Sequence, residues 1–173
     1  MPVALPHRNL PLLLLRARED VISRFRPILT AHGLTEQQWR ILRTLAESDN
    51  QPLEPREICE ICTILSPSLA GVLARMDELG LVKRVRVDSD QRRVLVSLTA
   101  KSRALASRIA PLIEREYRAL EADVGTELVR ETYALLDRLS QRLRAAAAAR
   151  PGLDAGRPPG MKARKQKGPR ALR

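Results

Sequence analysis

The sequence predicts a mainly α-helical chain carrying one small β-hairpin. Three observations lead there. Apolar residues recur at helical spacing along most of the chain, with Ser, Thr, Pro and Gly standing where the stripes start and stop. One stretch, Leu81 to Leu98, alternates at a spacing of two instead. The 173 residues are 44% hydrophobic but only 2% aromatic, so the core must be built mostly from aliphatic side chains.

The elements follow in order. A first stripe runs Leu13, Leu14, Val21, Ile22, Phe25, Ile28 and Leu29 and closes near His32-Gly33, where glycine can end a helix. Thr35 with Gln38 three residues on reads as a capping box, opening a helix that buries Trp39, Ile41, Leu42 and Leu45. Pro52 and Pro55 bracket the next start, and Pro55 suits the first turn of a short helix through Ile58, Ile61 and Cys62. Ser66-Pro67-Ser68 is a further start, read as an N-cap Ser followed by Pro at the first helical position. Leu69, Val72, Leu73, Met76 and Leu79 form its buried face, Gly80 sits at its left-handed end, and Pro67, Ser68, Gly71, Arg75 and Glu78 turn outward. Asp88-Ser89-Asp90-Gln91 then forms the turn of a hairpin whose arms carry Arg84, Arg86, Arg92 and Arg93.

Two long helices follow, striped by Leu105, Ile109, Leu112, Ile113, Tyr117, Leu120 and Val124, then by Leu128, Leu135, Leu136, Leu139 and Leu143. Gly125 separates them, and Pro111 is expected to bend the first. No later helix is available to cover their apolar stripe. The first helix and a second copy of the chain are the expected covers, hence a homodimer. The organisation is residues 1–34 and 100–150 as the dimerisation region around a unit over 35–99, with 151–173 as a disordered basic tail. That tail holds seven basic residues and one acid, +6 of the chain's formal +11, in Pro- and Gly-rich surroundings.

A charge this positive favours a polyanionic partner. Four aromatic rings are too few for RNA-binding sheets that stack bases. Catalysis has few players: two His, no phosphate-binding glycine loop and no nucleophile elbow, so no enzyme and no cofactor are expected. The Leu10–Leu15 run stops at Arg16-Ala17-Arg18 and falls short of the roughly 20 residues that span a bilayer, so no membrane partner and a cytoplasmic location are expected. Two cysteines make no disulfide framework. Cys59-Glu60-Ile61-Cys62 invites a redox or zinc reading, but only the distant His7 and His32 could complete a metal site. No metal is expected, and buried structural cysteines are favoured over redox sensors.

Two short helices, the second ended by glycine, followed by a basic hairpin make a winged helix-turn-helix. A helix of that kind fits the major groove of double-stranded DNA, small residues let its backbone approach the bases, and hairpin arginines straddle phosphates. The bland alternative is that these arginines are a solvated face, and that Arg75 merely pairs with Asp77 or Glu78 nearby.

The run Leu65-Ser66-Pro67-Ser68, Leu73-Ala74-Arg75-Met76, Gly80-Leu81-Val82 and Asp90-Gln91-Arg92-Arg93-Val94 to Thr99 resembles the MarR family of bacterial transcription regulators. Arg18-Glu19, Phe25-Arg26-Pro27-Ile28-Leu29 and Leu34-Thr35-Glu36-Gln37-Gln38-Trp39-Arg40 narrow the likeness to regulators of homoprotocatechuate degradation. The chain departs from the family pattern at Ala100-Lys101-Ser102, where a glycine commonly closes the motif. The resemblance implies a dimeric repressor that binds a pseudo-palindromic operator and is released by a small aromatic or heteroaromatic acid. It places Ser66, Pro67, Ser68, Gly71 and Arg75 on the recognition helix. It places Arg92, paired with Asp90, at the wing arginine, beside Arg84, Arg86 and Arg93.

An aromatic carboxylate needs a cation, best a forked guanidinium, and an apolar wall. The candidates are His7, Arg16, Arg18, Trp39 and Arg40, against the alternative that Arg18 pairs with an acid and Trp39 is core. A nucleoid-type architectural protein, indifferent to base sequence, is the alternative function.

Overall fold

A computed structural model describes residues 6–49, 51–87 and 90–149. The expected turn residues Asp88 and Ser89 and the basic tail, 151–173, lie outside the described residues. Among those described there are six helices and one hairpin, in the order the sequence predicts: α1 (Leu10–Ala31), α2 (Glu36–Glu47), α3 (Pro55–Cys62), α4 (Ser66–Glu78), β1 (Val82–Val87), β2 (Asp90–Leu98), α5 (Ala100–Val124) and α6 (Thr126–Ala148).

Local chemistry explains the boundaries. The Thr35 hydroxyl accepts from the Gln38 N–H at 3.2 Å while the Gln38 side chain accepts from the Thr35 N–H at 2.9 Å, a complete capping box. Gly33 and Gly80 take φ of +68° and +65° after α1 and α4, the left-handed conformation that a Cβ disfavours. Ala100-Lys101-Ser102 opens α5 without the missing glycine. Thr99 caps the helix and accepts from the Ser102 N–H at 3.1 Å, while Ser102 is fully buried beneath it.

Three readings need correction. Leu65, not Ser66, is the N-cap of α4, so Ser66 and Pro67 are its first two residues and Ser66 makes no capping bond. Its hydroxyl lies instead 3.5 Å from the Cys59 sulfur. Trp39 is half-buried rather than core, and Leu13, Leu14 and Val21 are exposed, so α1 buries only Phe25 and Leu29. Asp90 and Gln91, expected in the turn, belong to β2 instead.

The strands pair antiparallel, with Val82 opposite Leu98, Arg84 opposite Val96 and Arg86 opposite Val94, and the register slips between Arg86 and Val87. Leu53 adds a third rung at the hairpin base: its N–H donates to the Val96 carbonyl at 3.0 Å, and the Val96 N–H donates back at 2.8 Å. One core cluster joins Phe25 and Leu29, Ile41, Leu42 and Leu45, Ile58, Leu69 and Met76, Val82 and Val96, and Ile109. It draws on every element except α6, which has no buried residue. No single helix among the described residues is long and apolar enough to cross a membrane.

Candidate nucleic-acid interface and ligand cleft

The α4 helix buries Leu69, Leu73 and Met76 and leaves Ser66, Pro67, Ser68, Gly71 and Arg75 exposed together on its other face. Four of the five are small or compact, so the helix backbone can come close to a partner surface. Both ends of α4 are fixed. At its C-terminus the Thr99 hydroxyl donates to the Gly80 carbonyl and the Lys101 ammonium to the Leu79 carbonyl, each at 2.8 Å. At its N-terminus the preceding turn is gripped from α2, where Arg40 Nη1 donates to the Cys62 carbonyl at 2.7 Å.

The hairpin stands beside this face. Arg84 and Arg86 are exposed on β1 together with Lys83. Asp90 opens β2; Arg92 lies in that strand, and its side chain falls outside the described residues. Arg93 is differently placed. Its guanidinium donates to Glu54, with Nε 2.7 Å from Oε1, and that carboxylate keeps Arg93 still more firmly protonated. Arg75 reaches Glu78 at 3.1 Å, but both side chains are about two-thirds exposed, and a pair that open contributes little.

The predicted acid-binding residues do not converge. His7 and Arg16 are exposed near the start of α1. Arg18 and Arg40 both turn to one carboxylate, Glu36: Arg40 Nη2 lies 2.6 Å from Oε1, and Arg18 donates to the same oxygen. Trp39 alone of the five lines a cleft, about 390 Å³, between α2 and α5. Its partners there are Arg43 and Glu47 from α2, and Ala106, Ala110, Ile113, Glu114 and Tyr117 from α5.

Trp39, Arg43 and Glu47 project along one face of α2 at four-residue spacing, and across the cleft Ala106 and Ala110 stand at the same spacing on α5. Tyr117 closes one end, its ring 4.7 Å from that of Phe25 and tilted by 50°. Arg24 fixes the α1–α5 seam through Glu116 at 2.7 Å and Asp123 at 2.6 Å. Arg43 Nε donates to Glu47 at 2.6 Å, which holds its proton more firmly than usual. The sequence reading missed Arg43 and Tyr117; the Trp39–Arg43–Glu47 spacing was the available signal.

Of the two cysteines expected to be buried, Cys59 is only half-buried, and Cys62 has the structural account. Cys62 is buried, its sulfur 3.3 Å from the Thr44 hydroxyl and 3.8 Å from the Arg40 carbonyl, and burial pushes the thiol up. A thiol kept neutral is a poor nucleophile. Among the described residues no three His, Cys, Asp or Glu side chains gather as a metal site.

With this geometry in place, comparisons with known proteins are decisive about kinship. A family model described as MarR family matches residues 32–93. The homoprotocatechuate degradative operon repressor of Escherichia coli is 44% identical over 131 residues, covering 76% of this chain and 87% of that protein. The chain belongs to the MarR family. Its winged-helix fold is that of MarR regulators of known structure. NadR, crystallised in complex with 4-hydroxyphenylacetate, is 38% identical with a TM-score of 0.67, covering 80% of this chain and 97% of NadR. The repressor CouR, bound to a 23-mer DNA duplex, is 27% identical with a TM-score of 0.69, covering 76% of this chain and 92% of CouR. Like them, this MarR-type chain is a transcription regulator in design: a winged lobe joined to long helices.

Proposed function

We propose that this chain is a cytoplasmic, homodimeric repressor that binds a pseudo-palindromic operator and is released by a small hydroxylated aromatic acid held between α2 and α5. The observation that carries the reading is the α2–α5 cleft, which brings Trp39, Tyr117 and Arg43 together beside the winged lobe. Its volume, about 390 Å³, suits a small molecule.

The chemistry of the lining selects the ligand class. Trp39, Tyr117 and Ile113 offer walls for a ring. Arg43 is the cation for a carboxylate, and Glu114 or the Tyr117 hydroxyl can take a ring hydroxyl. Glu47 pairs with Arg43 at the cleft, yet the Glu47 side chain is 61% exposed. Opening an exposed i,i+4 pair costs only about 0.3–0.5 kcal/mol, less than the 1.5–3 kcal/mol a charge-assisted hydrogen bond returns. Arg43 therefore takes the role that the sequence assigned to Arg18 and Arg40. The crystallised complex of NadR with 4-hydroxyphenylacetate supports the ligand class.

For DNA, the exposed N-terminal half of α4 reads the major groove, while Arg84, Arg86 and Arg92 on the wing meet phosphates and the neighbouring minor groove. The dimer rests on apolar surface that one chain leaves open: Leu12 to Leu15 on α1 and Leu128, Leu135, Leu136 and Leu143 on α6. Two recognition helices then address half-sites about one helical turn apart, in an operator of roughly 15–20 base pairs. The acid favours a spacing of those helices that no longer fits successive grooves.

Fluorescence anisotropy with the gene's own upstream DNA and a scrambled duplex, with and without a panel of hydroxylated aromatic acids, tests this. A preference for the upstream DNA that one acid removes is the expected result. Equal binding to both duplexes, indifferent to every acid, replaces the repressor with the architectural protein.

A further inference from the structure

The α3–α4 turn is held in an unusual way. Cys62 is the last residue of α3, so its carbonyl has no partner within the helix. Thr63 follows at φ +52°, ψ +48°, a left-handed conformation that a β-branched residue adopts only when its surroundings impose it. The Arg40 guanidinium supplies that imposition. One arm donates to the Cys62 carbonyl at 2.7 Å and the other to Glu36 at 2.6 Å. Thr44, one turn further along α2, touches the sulfur of the same cysteine at 3.3 Å. Glu36 also accepts from Arg18 on α1. The polar chain is thus continuous from α1 through Glu36 and Arg40 to the turn that launches α4.

From this geometry we infer that Arg40 is a positioning residue for α4: it fixes the direction in which the recognition helix leaves α3, and Glu36 ties that clamp to α1 through Arg18. The inference rests on the reading of α4 as the DNA-contacting helix. It gives Arg40 no contact with DNA or ligand. The planar fork holds two separate nitrogens towards the two partners, whereas a lysine ammonium carries its donors on one atom and is not pre-set to reach both. Trp39 and Arg43 lie on the same helix, so whatever moves α2 at the cleft moves the clamp with it.

The test compares Arg40→Lys and Glu36→Gln with the unaltered full chain, first without DNA. Amide hydrogen exchange at residues 63–66 should rise in Arg40→Lys relative to exchange in the middle of α5; unchanged exchange overturns the clamp whatever the DNA does. Next come affinities for upstream and scrambled duplex over a salt series. Losing one arm of the clamp should cut the upstream-to-scrambled ratio by about tenfold while the salt slope stays the same. Parallel losses on both duplexes, with a slope that falls by about one in the charge-removing Arg40→Gln, make Arg40 a phosphate contact and overturn the proposal. Glu36→Gln keeps the side-chain shape, removes the charge and leaves the Arg40–Cys62 bond, so it serves if Arg40→Lys folds poorly, with a smaller shift in the same direction expected and none overturning it. If the unaltered chain prefers neither duplex, the repressor reading fails while the exchange result still decides the clamp.

Discussion

Replacing Arg43 with Gln tests the assignment of the cleft. The substitution keeps length and polarity and removes the charge. In the folded protein it costs the exposed pair with Glu47, about 0.3–0.5 kcal/mol, and weakens the contact with Tyr117, neither of which is needed for folding. Against a bound carboxylate it removes a charge-assisted hydrogen bond of about 1.5–3 kcal/mol, less what the ligand spent in displacing Glu47. The net loss is roughly 1–2.5 kcal/mol, or about 5- to 70-fold weaker binding. The assay is built into the protein, because Trp39 is the chain's only tryptophan and lines the cleft. Titrating 4-hydroxyphenylacetate and following tryptophan emission reads occupancy without DNA. Arg18→Gln is the companion variant and should stay within about twofold of the unaltered protein, since Arg18 is engaged by Glu36 outside the cleft. Arg43→Gln binding as tightly as the unaltered chain, or Arg18→Gln losing the acid, refutes the reasoning.

Other expectations are as direct. Arg84→Ala and Arg86→Ala should each lower the salt slope of DNA binding by about one, while Arg93→Ala, its charge held by Glu54, should lower it less; equal slopes for all three would contradict the pairing. Arg92→Ala should cost roughly 1–3 kcal/mol at the operator, and an unchanged affinity in the folded variant removes it from the interface. Leu136→Glu on α6 should convert the dimer to monomer in sedimentation equilibrium and abolish high-affinity operator binding, whereas a dimer that persists places the interface elsewhere. Cys62 gives a pH dependence: its folded-state value is raised, so its stabilising contribution is complete below the ordinary thiol range and is lost as pH rises through the folded value. Cys62→Val should therefore flatten part of the alkaline fall in unfolding free energy, measured by denaturant titration; the same fall in both proteins would refute this.

What the sequence made legible was local. The capping box at Thr35 and the left-handed glycines at 33 and 80 announce themselves within a few residues, because caps and turns use short-range chemistry. The start of α4 was misjudged by one position for the same kind of reason. Ser-Pro is a strong start signal, but Ser66 was free to turn towards Cys59 because its hydroxyl is not needed as a cap. The Leu53 rung on Val96 left no local trace, being a pairing across 43 positions that only the packed hairpin creates. The candidate cleft is hidden similarly. Arg18 and Arg40 are the attractive cations in the sequence, yet Glu36 stands close enough to claim both, and a cation already answered by an acid looks the same in sequence as a free one. Tyr117 reaches the cleft only because α5 crosses α2, and its ring is seated by Phe25 from a third helix.

The distribution of burial divides the chain by what it needs. Residues from the second half of α1 through α5 close one core, with Ile41, Leu42, Ile58, Met76, Val96 and Ile109 all nearly inaccessible. That lobe is covered by its own sequence. The first half of α1 and all of α6 add nothing to it, yet they are studded with leucines that are a third to nearly two-thirds exposed. A single exposed leucine needs no explanation, but two long helices presenting them in series do. In the dimer proposed here, association is what buries that surface, so the stability of α6 should depend on protein concentration while that of the lobe need not. The cleft lies where these two regimes meet, between α2 of the self-sufficient lobe and the long α5 that leads into α6. In the repressor proposed here, a ligand in that cleft would act on the joint between the reading lobe and the helices that set its distance from a second copy, so that a small displacement there is passed on to the DNA-reading helices.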